Sequence, residues 1–140
     1  FAAGAIAATF HDILVTVSLL TICDYDLSLN VVAAVLTITG YSVNDTIVTF
    51  DRVRENLRAQ PQASLEQVVN AAVNQTLGRT IITAGTTFLA VLALFVFAGD
   101  VLRGFAFAML VGIVSGTYST IFIAAAISVM LSRRSRMPLR

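Results

Sequence analysis

An all-α, polytopic membrane helix bundle is the fold class this sequence predicts, with four transmembrane helices and one short cytoplasmic amphipathic helix. Three observations carry it. Of the 140 residues, 57% are hydrophobic and 12% charged, with a mean hydropathy of +0.86. A soluble domain carries about 25% charged residues, so a water-exposed fold of this length would lack polar surface. Four stretches reach the ~20 apolar residues that a hydrocarbon core of ~30 Å requires. Finally, arginines gather at alternate ends of those stretches.

The spans are expected at about 1–23, 27–50, 79–98 and 104–131, in a single membrane domain. The last is long enough to cross with tilt to spare. Arg52, Arg54 and Arg58 follow the second span, and Arg133, Arg134, Arg136 and Arg140 follow the fourth. Cytoplasmic loops carry the excess of basic residues, so both ends of the chain are expected in the cytoplasm. The connectors Asp24-Tyr-Asp26 and Gly99-Asp-Val-Leu-Arg103 are acidic or balanced and fall on the other side. Four crossings satisfy that parity.

Between the second and third spans lies a cytoplasmic connector, 51–78. Pro61 lacks an amide donor and ends the extension of the second helix. Ser64 and Gln67 then have the spacing of a capping box. Leu65, Val68, Val69, Ala72, Val73 and Leu77 recur at helical spacing, which predicts a short amphipathic helix at the membrane face. It reads either as a plain joint between spans or as a docking surface. On the fourth span, Gly112-Ile-Val-Ser-Gly116 is a small-xxx-small pattern, continued by Ser115 and Ser119, that permits close helix approach.

The informative residues are the ionisable ones inside the apolar runs. A carboxylate at the centre of a lipid-embedded helix costs ~2.5–3.5 kcal/mol on insertion scales, and Asp45 occupies such a position. It lies six residues before Asp51, roughly 9 Å from the cytoplasmic boundary at ~1.5 Å per residue. Tyr41, Asp45 and Thr49 form a polar stripe at i, i+4, i+8, with Asn44 and Thr46 beside it. Thr76, Arg79 or Thr80, Thr83, and Thr86 or Thr87 form a second stripe on the third span, again at three-to-four spacing. Two such stripes on consecutive helices face each other or a shared wet crevice. Arg79 reads as a partner for Asp45 or as a snorkelling anchor at a helix end. Side chains lean toward their helix N-terminus, so Asp45 and Arg79 lean apart, and direct contact is left open. Desolvation favours the neutral carboxyl and a guanidinium favours the anion; changing either balance moves a proton, which is what coupling requires. The alternative is a static hydrogen-bonded residue.

His11 and Asp12 sit near the middle of the first span, as a second relay or an internal hydrogen-bonded pair, with Thr9 and Thr16 on Asp12's face. One histidine and one cysteine, Cys23, cannot supply a metal centre or an internal disulfide. Neither a His-Glu-x-x-His pattern, a phosphate-binding Gly-rich loop nor a serine nucleophile elbow is present. The chain is therefore not expected to be an enzyme. A net charge of +1, with its basic residues at helix ends, gives no case for nucleic acid. The opening Phe-Ala-Ala-Gly lacks a Met and a basic n-region, so a signal peptide is not expected and a piece of a longer polypeptide is.

Gly40-Tyr-Ser-Val-Asn-Asp-Thr-Ile-Val-Thr-Phe-Asp-Arg-Val-Arg-Glu-Asn56 and Asn74-Gln-Thr-Leu-Gly-Arg-Thr-Ile-Ile-Thr-Ala-Gly-Thr-Thr87 resemble the SecF family of protein-export membrane proteins. The resemblance extends to His11-Asp12 and Gly104-Phe105 and covers essentially the whole chain. It equally suits the SecF half of a fused SecDF chain. It implies half of a resistance-nodulation-division type membrane unit, placed in the bacterial or archaeal cytoplasmic membrane. The first two spans of the family and the extracytoplasmic domain between them would be missing here. It implies proton-motive-force-driven assistance of preprotein translocation through SecYEG. The partners would be SecD, SecYEG, YajC, YidC, the preprotein and membrane lipid, with protons as coupling ion and no bound cofactor. By motif the coupling residues fall on Asp45 and Arg79, supported by Asn44, Thr46, Tyr41, Thr80, Thr83, His11 and Asp12. A further essential Asp would come from the SecD part. Two rival readings are a small-molecule efflux transporter of the same superfamily and a subunit that only stabilises the translocon.

Overall fold

The computed structural model describes residues 2–135, with side chains described for 2–130; Phe1, Arg136 and Arg140 lie outside the described residues. The chain folds into α1 (Ala2–Ile22), α2 (Leu29–Ala59), α3 (Leu65–Phe97), α4 (Asp100–Tyr118), a π-helical segment (Ser119–Ala124) and α5 (Ala125–Ser135). Ala2–Ile22, Leu29–Ala59, Leu65–Phe97 and Asp100–Met130 are each long and apolar enough to cross a membrane.

Local chemistry sets each boundary. α1 closes with Asp24 in the left-handed region (φ 59). The Tyr25 N–H donates to the Leu20 carbonyl at 3.0 Å and the Asp24 N–H to Thr21 at 3.2 Å, a Schellman closure with Asp in the usual Gly position. Ser28 caps α2 by accepting from the Val31 N–H at 3.4 Å. α2 stops at Ala59, two residues before Pro61, with the Gln60 N–H closing on Asn56. Ser64 and Gln67 form the expected capping box, at 3.2 and 3.3 Å. Gly99 turns the chain at φ 74, and Asp100 places a carboxylate on the first turn of α4.

One expectation is corrected. No separate amphipathic helix precedes the third span: Leu65–Phe97 is a single helix of 33 residues. Nothing between Asn74 and Arg79 interrupts the backbone ladder. Gly78 costs only ~1 kcal/mol relative to Ala inside a helix and no proline is present. The apolar face of the first turns is nonetheless used. Val68, Val69 and Ala72 belong to one buried apolar cluster with Phe50 and Val53 of α2 and Ala8 of α1. The expected fourth span starts earlier, at Asp100, and is interrupted by the π segment.

α4 packs against α1, α2 and α3 and is the centre of the bundle. Close approach to α2 depends on Gly112, since a Cβ there would lie 2.5 Å from Ile38 Cγ1 and Cγ2. Gly116 is less critical; its Cβ would make ordinary contact with Ser42. The apolar core comes in two blocks. One, around Leu20, Ile38, Met109 and Ile113, lies toward the Tyr25 turn; the other, around Phe50, Val53, Val68 and Ala124, lies toward the Pro61 turn. Between them run Asp12, Ser42, Thr46, Ser115, Ser119 and Thr120, all buried and polar.

Candidate functional site

Two polar centres occupy this middle layer, one open to the outer face of the bundle and one sealed inside it. The open centre is built by α2 and α3, whose polar stripes face each other as their spacing implied. Thr80 Oγ1 donates to Asp45 Oδ1 at 3.0 Å, and the Thr49 and Thr76 hydroxyls meet at 3.4 Å. Asp45 is half-buried while Thr80 is buried. Tyr41, one turn from Asp45 on the same face, lies near Asp45 and Thr87. Arg79 is exposed, and among the described residues no ion pair joins it to Asp45. The opposite lean of side chains on antiparallel helices accounts for this. Asp45 on α2 and Arg79 on α3 are thus presented by two neighbouring spans without a direct ion pair between them.

The other residues of the motif point elsewhere. Asn44 and Thr83 are exposed. Thr46 turns inward, where its hydroxyl meets Thr120 of the π segment at 3.0 Å. Beyond the middle layer, Gln75 Oε1 accepts from Arg52 Nε at 2.8 Å and Asn56 Nδ2 at 3.0 Å, closing the α2–α3 pair toward its turn.

The sealed centre is Asp12, 1% exposed. Its carboxylate accepts hydrogen bonds from Ser42 Oγ of α2 (2.6 Å), Ser115 Oγ of α4 (2.8 Å) and Ser119 Oγ of the π segment (2.7 Å). His11 Nδ1 lies 3.3 Å from Asp12 Oδ1, and its half-exposed ring sits 6.5 Å from Tyr118. His11 and Asp12 thus form the internal pair that was one of the two options, within a larger set. Thr9 bonds back to the Ala5 carbonyl, and the buried Thr16 hydroxyl has no hydrogen-bond partner among the described residues. The three serines escaped the sequence reading as ligands of Asp12. The available signal was Ser115 and Ser119 at i, i+4 on an apolar helix opposite a buried carboxylate.

The π segment makes this geometry possible. Ser119, Thr120, Ala124 and Ala125 are all buried, a five-residue repeat that an α-helix would not keep on one face. The wider turn directs Ser119 to Asp12 and Thr120 to Thr46 together.

Residues 1–134 match the family model described as protein export membrane protein SecD/SecF, C-terminal. The chain is 55% identical over 122 residues to a protein translocase subunit SecF of Koribacter versatilis, covering 87% of this chain and 30% of that protein. It is 48% identical over 141 residues to that of Rhodothermus marinus, covering 96% of this chain and 46% of that protein. The crystal structure of SecDF, a translocon-associated membrane protein from Thermus thermophilus, superposes with a TM-score of 0.92 at 42% identity, over 96% of this chain and 19% of that one. A SecDF crystal structure in a super-membrane-facing form gives a TM-score of 0.91 at 41% identity. This chain therefore spans less than half the length of these relatives.

Proposed function

The chain belongs to the SecD/SecF family of protein-export membrane proteins, in its C-terminal part, and from that premise we propose that it is the proton-coupling membrane half of a protein-translocation motor. The observation that carries the reading is the half-buried Asp45, bonded to Thr80 beside the exposed Arg79, on a face that the four helices leave open. Ionisable groups within spans serve ion pathways and proton relays. The unit makes and breaks no covalent bond. Its coupling ion is the proton, and no cofactor is invoked.

One proton crossing the membrane releases ~2.3 kcal/mol per 100 mV. As an anion Asp45 accepts from Thr80 and attracts Arg79; once protonated it loses the attraction and gains a donor. That difference biases two arrangements of α2 against α3. The bias passes to the rest of the complex, where a SecD-type partner supplies the opposing face and an extracytoplasmic domain holds the preprotein leaving SecYEG; YajC and YidC belong to the same assembly. In this reading the membrane is the bacterial inner membrane, with both ends of the segment in the cytoplasm.

The test is proton-motive-force-dependent preprotein export by the full complex carrying Asp45→Asn or Arg79→Ala. Export should fall to the level without a proton-motive force while the complex assembles normally. Undiminished export in both variants would leave Asp45 a static hydrogen-bond acceptor and Arg79 a membrane anchor, which is the translocon-stabilising alternative. Proton-driven extrusion of small molecules without polypeptide export would favour the efflux alternative.

A further inference from the structure

We propose that Asp12 is a positioning residue: its cage of serine hydroxyls fixes the rotation of α2 about its own axis and so sets the direction in which Asp45 faces. Asp12 joins three separate elements through Ser42, Ser115 and Ser119. A carboxylate suits this junction because it is acceptor-only, with about four lone-pair sites, so three hydroxyls from three directions find an acceptor on one side chain. Hydrogen bonds to a charged acceptor are shorter and roughly twice as strong as neutral ones. The Ser42 contact, at 2.6 Å, is the shortest side-chain bond from α2 to another helix among the described residues; the hydroxyl–hydroxyl contacts at Thr46 and Thr49 are 3.0 and 3.4 Å.

Ser42 precedes Asp45 by three residues, which places the two side chains about 60° apart around α2 at ~100° per residue. They share one helical turn, so rotation that moves one moves the other. With the hydroxyl oxygen at about 4 Å from the helix axis, a rotation of about 20° displaces it by about 1.4 Å, enough to break a bond of this length. Asp12 thereby holds the Asp45 face within a narrow arc toward Thr80. Among the described residues its polar partners are three hydroxyls and the His11 ring, with no guanidinium. A buried acidic group with no guanidinium beside it carries a desolvation cost that a well-packed apolar residue avoids. The compensating property is uniqueness of arrangement, as with a single buried polar residue that fixes register in a coiled coil.

The consequence for coupling rests on the reading of Asp45 given above; the positioning itself does not, and the experiment separates them. In the full complex, freed of other cysteines including Cys23, Asp45→Cys and Thr80→Cys place two thiols where the carboxylate and hydroxyl now meet. Oxidant-driven disulfide formation then reports how the two faces oppose each other, whether or not Asp45 carries protons. Adding Asp12→Asn, in an assembled complex, should slow the cross-link by about two- to thirtyfold, the span of typical long-range coupling energies. Ser42→Ala should do the same, and combining the two should add little, because both act on the Ser42–Asp12 bond. A role confined to general stability would leave the rate unchanged or make the two effects additive, and either result overturns the proposal. Should Asp12→Asn fail to assemble, Ser42→Ala alone decides it. Absence of the cross-link in the parent complex would overturn the α2–α3 orientation on which the inference stands. In complexes that retain Asp45, Asp12→Asn should also reduce proton-driven export. Loss of cross-linking with unchanged export would sustain the positioning role and refute the coupling reading.

Discussion

Replacing Gly112 by alanine tests the packing of α4 against Ile38 of α2. A Cβ at that position would fall 2.5 Å from two carbons of Ile38, against an optimal carbon–carbon separation of ~3.5–4.0 Å. The overlap is about 1 Å. Ile38 is 1% exposed and β-branched, so it has no empty space and essentially one helical rotamer. Overpacking of this kind costs ~1–3 kcal/mol, while the better helix propensity of alanine returns ~1 kcal/mol. A net loss of up to about 2 kcal/mol is expected, read as the fraction of intact complex surviving graded heating, followed by size-exclusion chromatography. Ile38→Ala alone opens a cavity and loses ~2–5 kcal/mol. The double variant should lose less than the sum, with a coupling of about 1 kcal/mol or more, because the new methyl enters the space vacated. Strict additivity of the two substitutions would refute the packing argument.

Two further perturbations follow from polar contacts. Thr46→Val leaves the buried Thr120 hydroxyl unpartnered and should cost ~1–3 kcal/mol, whereas Thr46→Val with Thr120→Val removes both halves of the pair and should be nearly neutral in the same heating assay. Ser64→Ala removes half of the capping box and should lose ~1 kcal/mol, confined to the first turn of α3 and visible as faster amide exchange at Glu66 and Gln67 with no change around Asp45.

The sequence made legible whatever depends on neighbours along the chain. The four spans, the stop before Pro61, the Ser64–Gln67 cap and the facing stripes of α2 and α3 follow from apolar run length, proline chemistry and 3.6-residue spacing. Continuity of α3 was obscured because its composition changes from amphipathic to uniformly apolar near Gly78, and composition alone does not mark a break where the backbone has none. The π segment was invisible for a related reason: an inserted residue shifts the repeat from 3.6 to five only over Ser119–Ala124, too short a stretch for periodicity to register. The Asp12 cage unites residues as far apart as Asp12 and Ser119, and only packing brings them together. Its likeness to an ordinary small-residue stripe hid the chemistry of Ser115 and Ser119.

The length of the α2–α3 pair has a mechanical consequence. Helices of 31 and 33 residues measure about 46 and 50 Å at ~1.5 Å per residue, and a hydrocarbon core takes up ~30 Å. Some 16–20 Å is therefore left beyond the hydrocarbon core as a paired strut, braced by Gln75 against Arg52 and Asn56 and closed by the Pro61 turn. Such a strut is a lever. Tilting it by about 10° within the bilayer sweeps its tip through about 3 Å, so adjustments of the helices within the bilayer appear amplified at the turn, where a spectroscopic probe is easiest to attach.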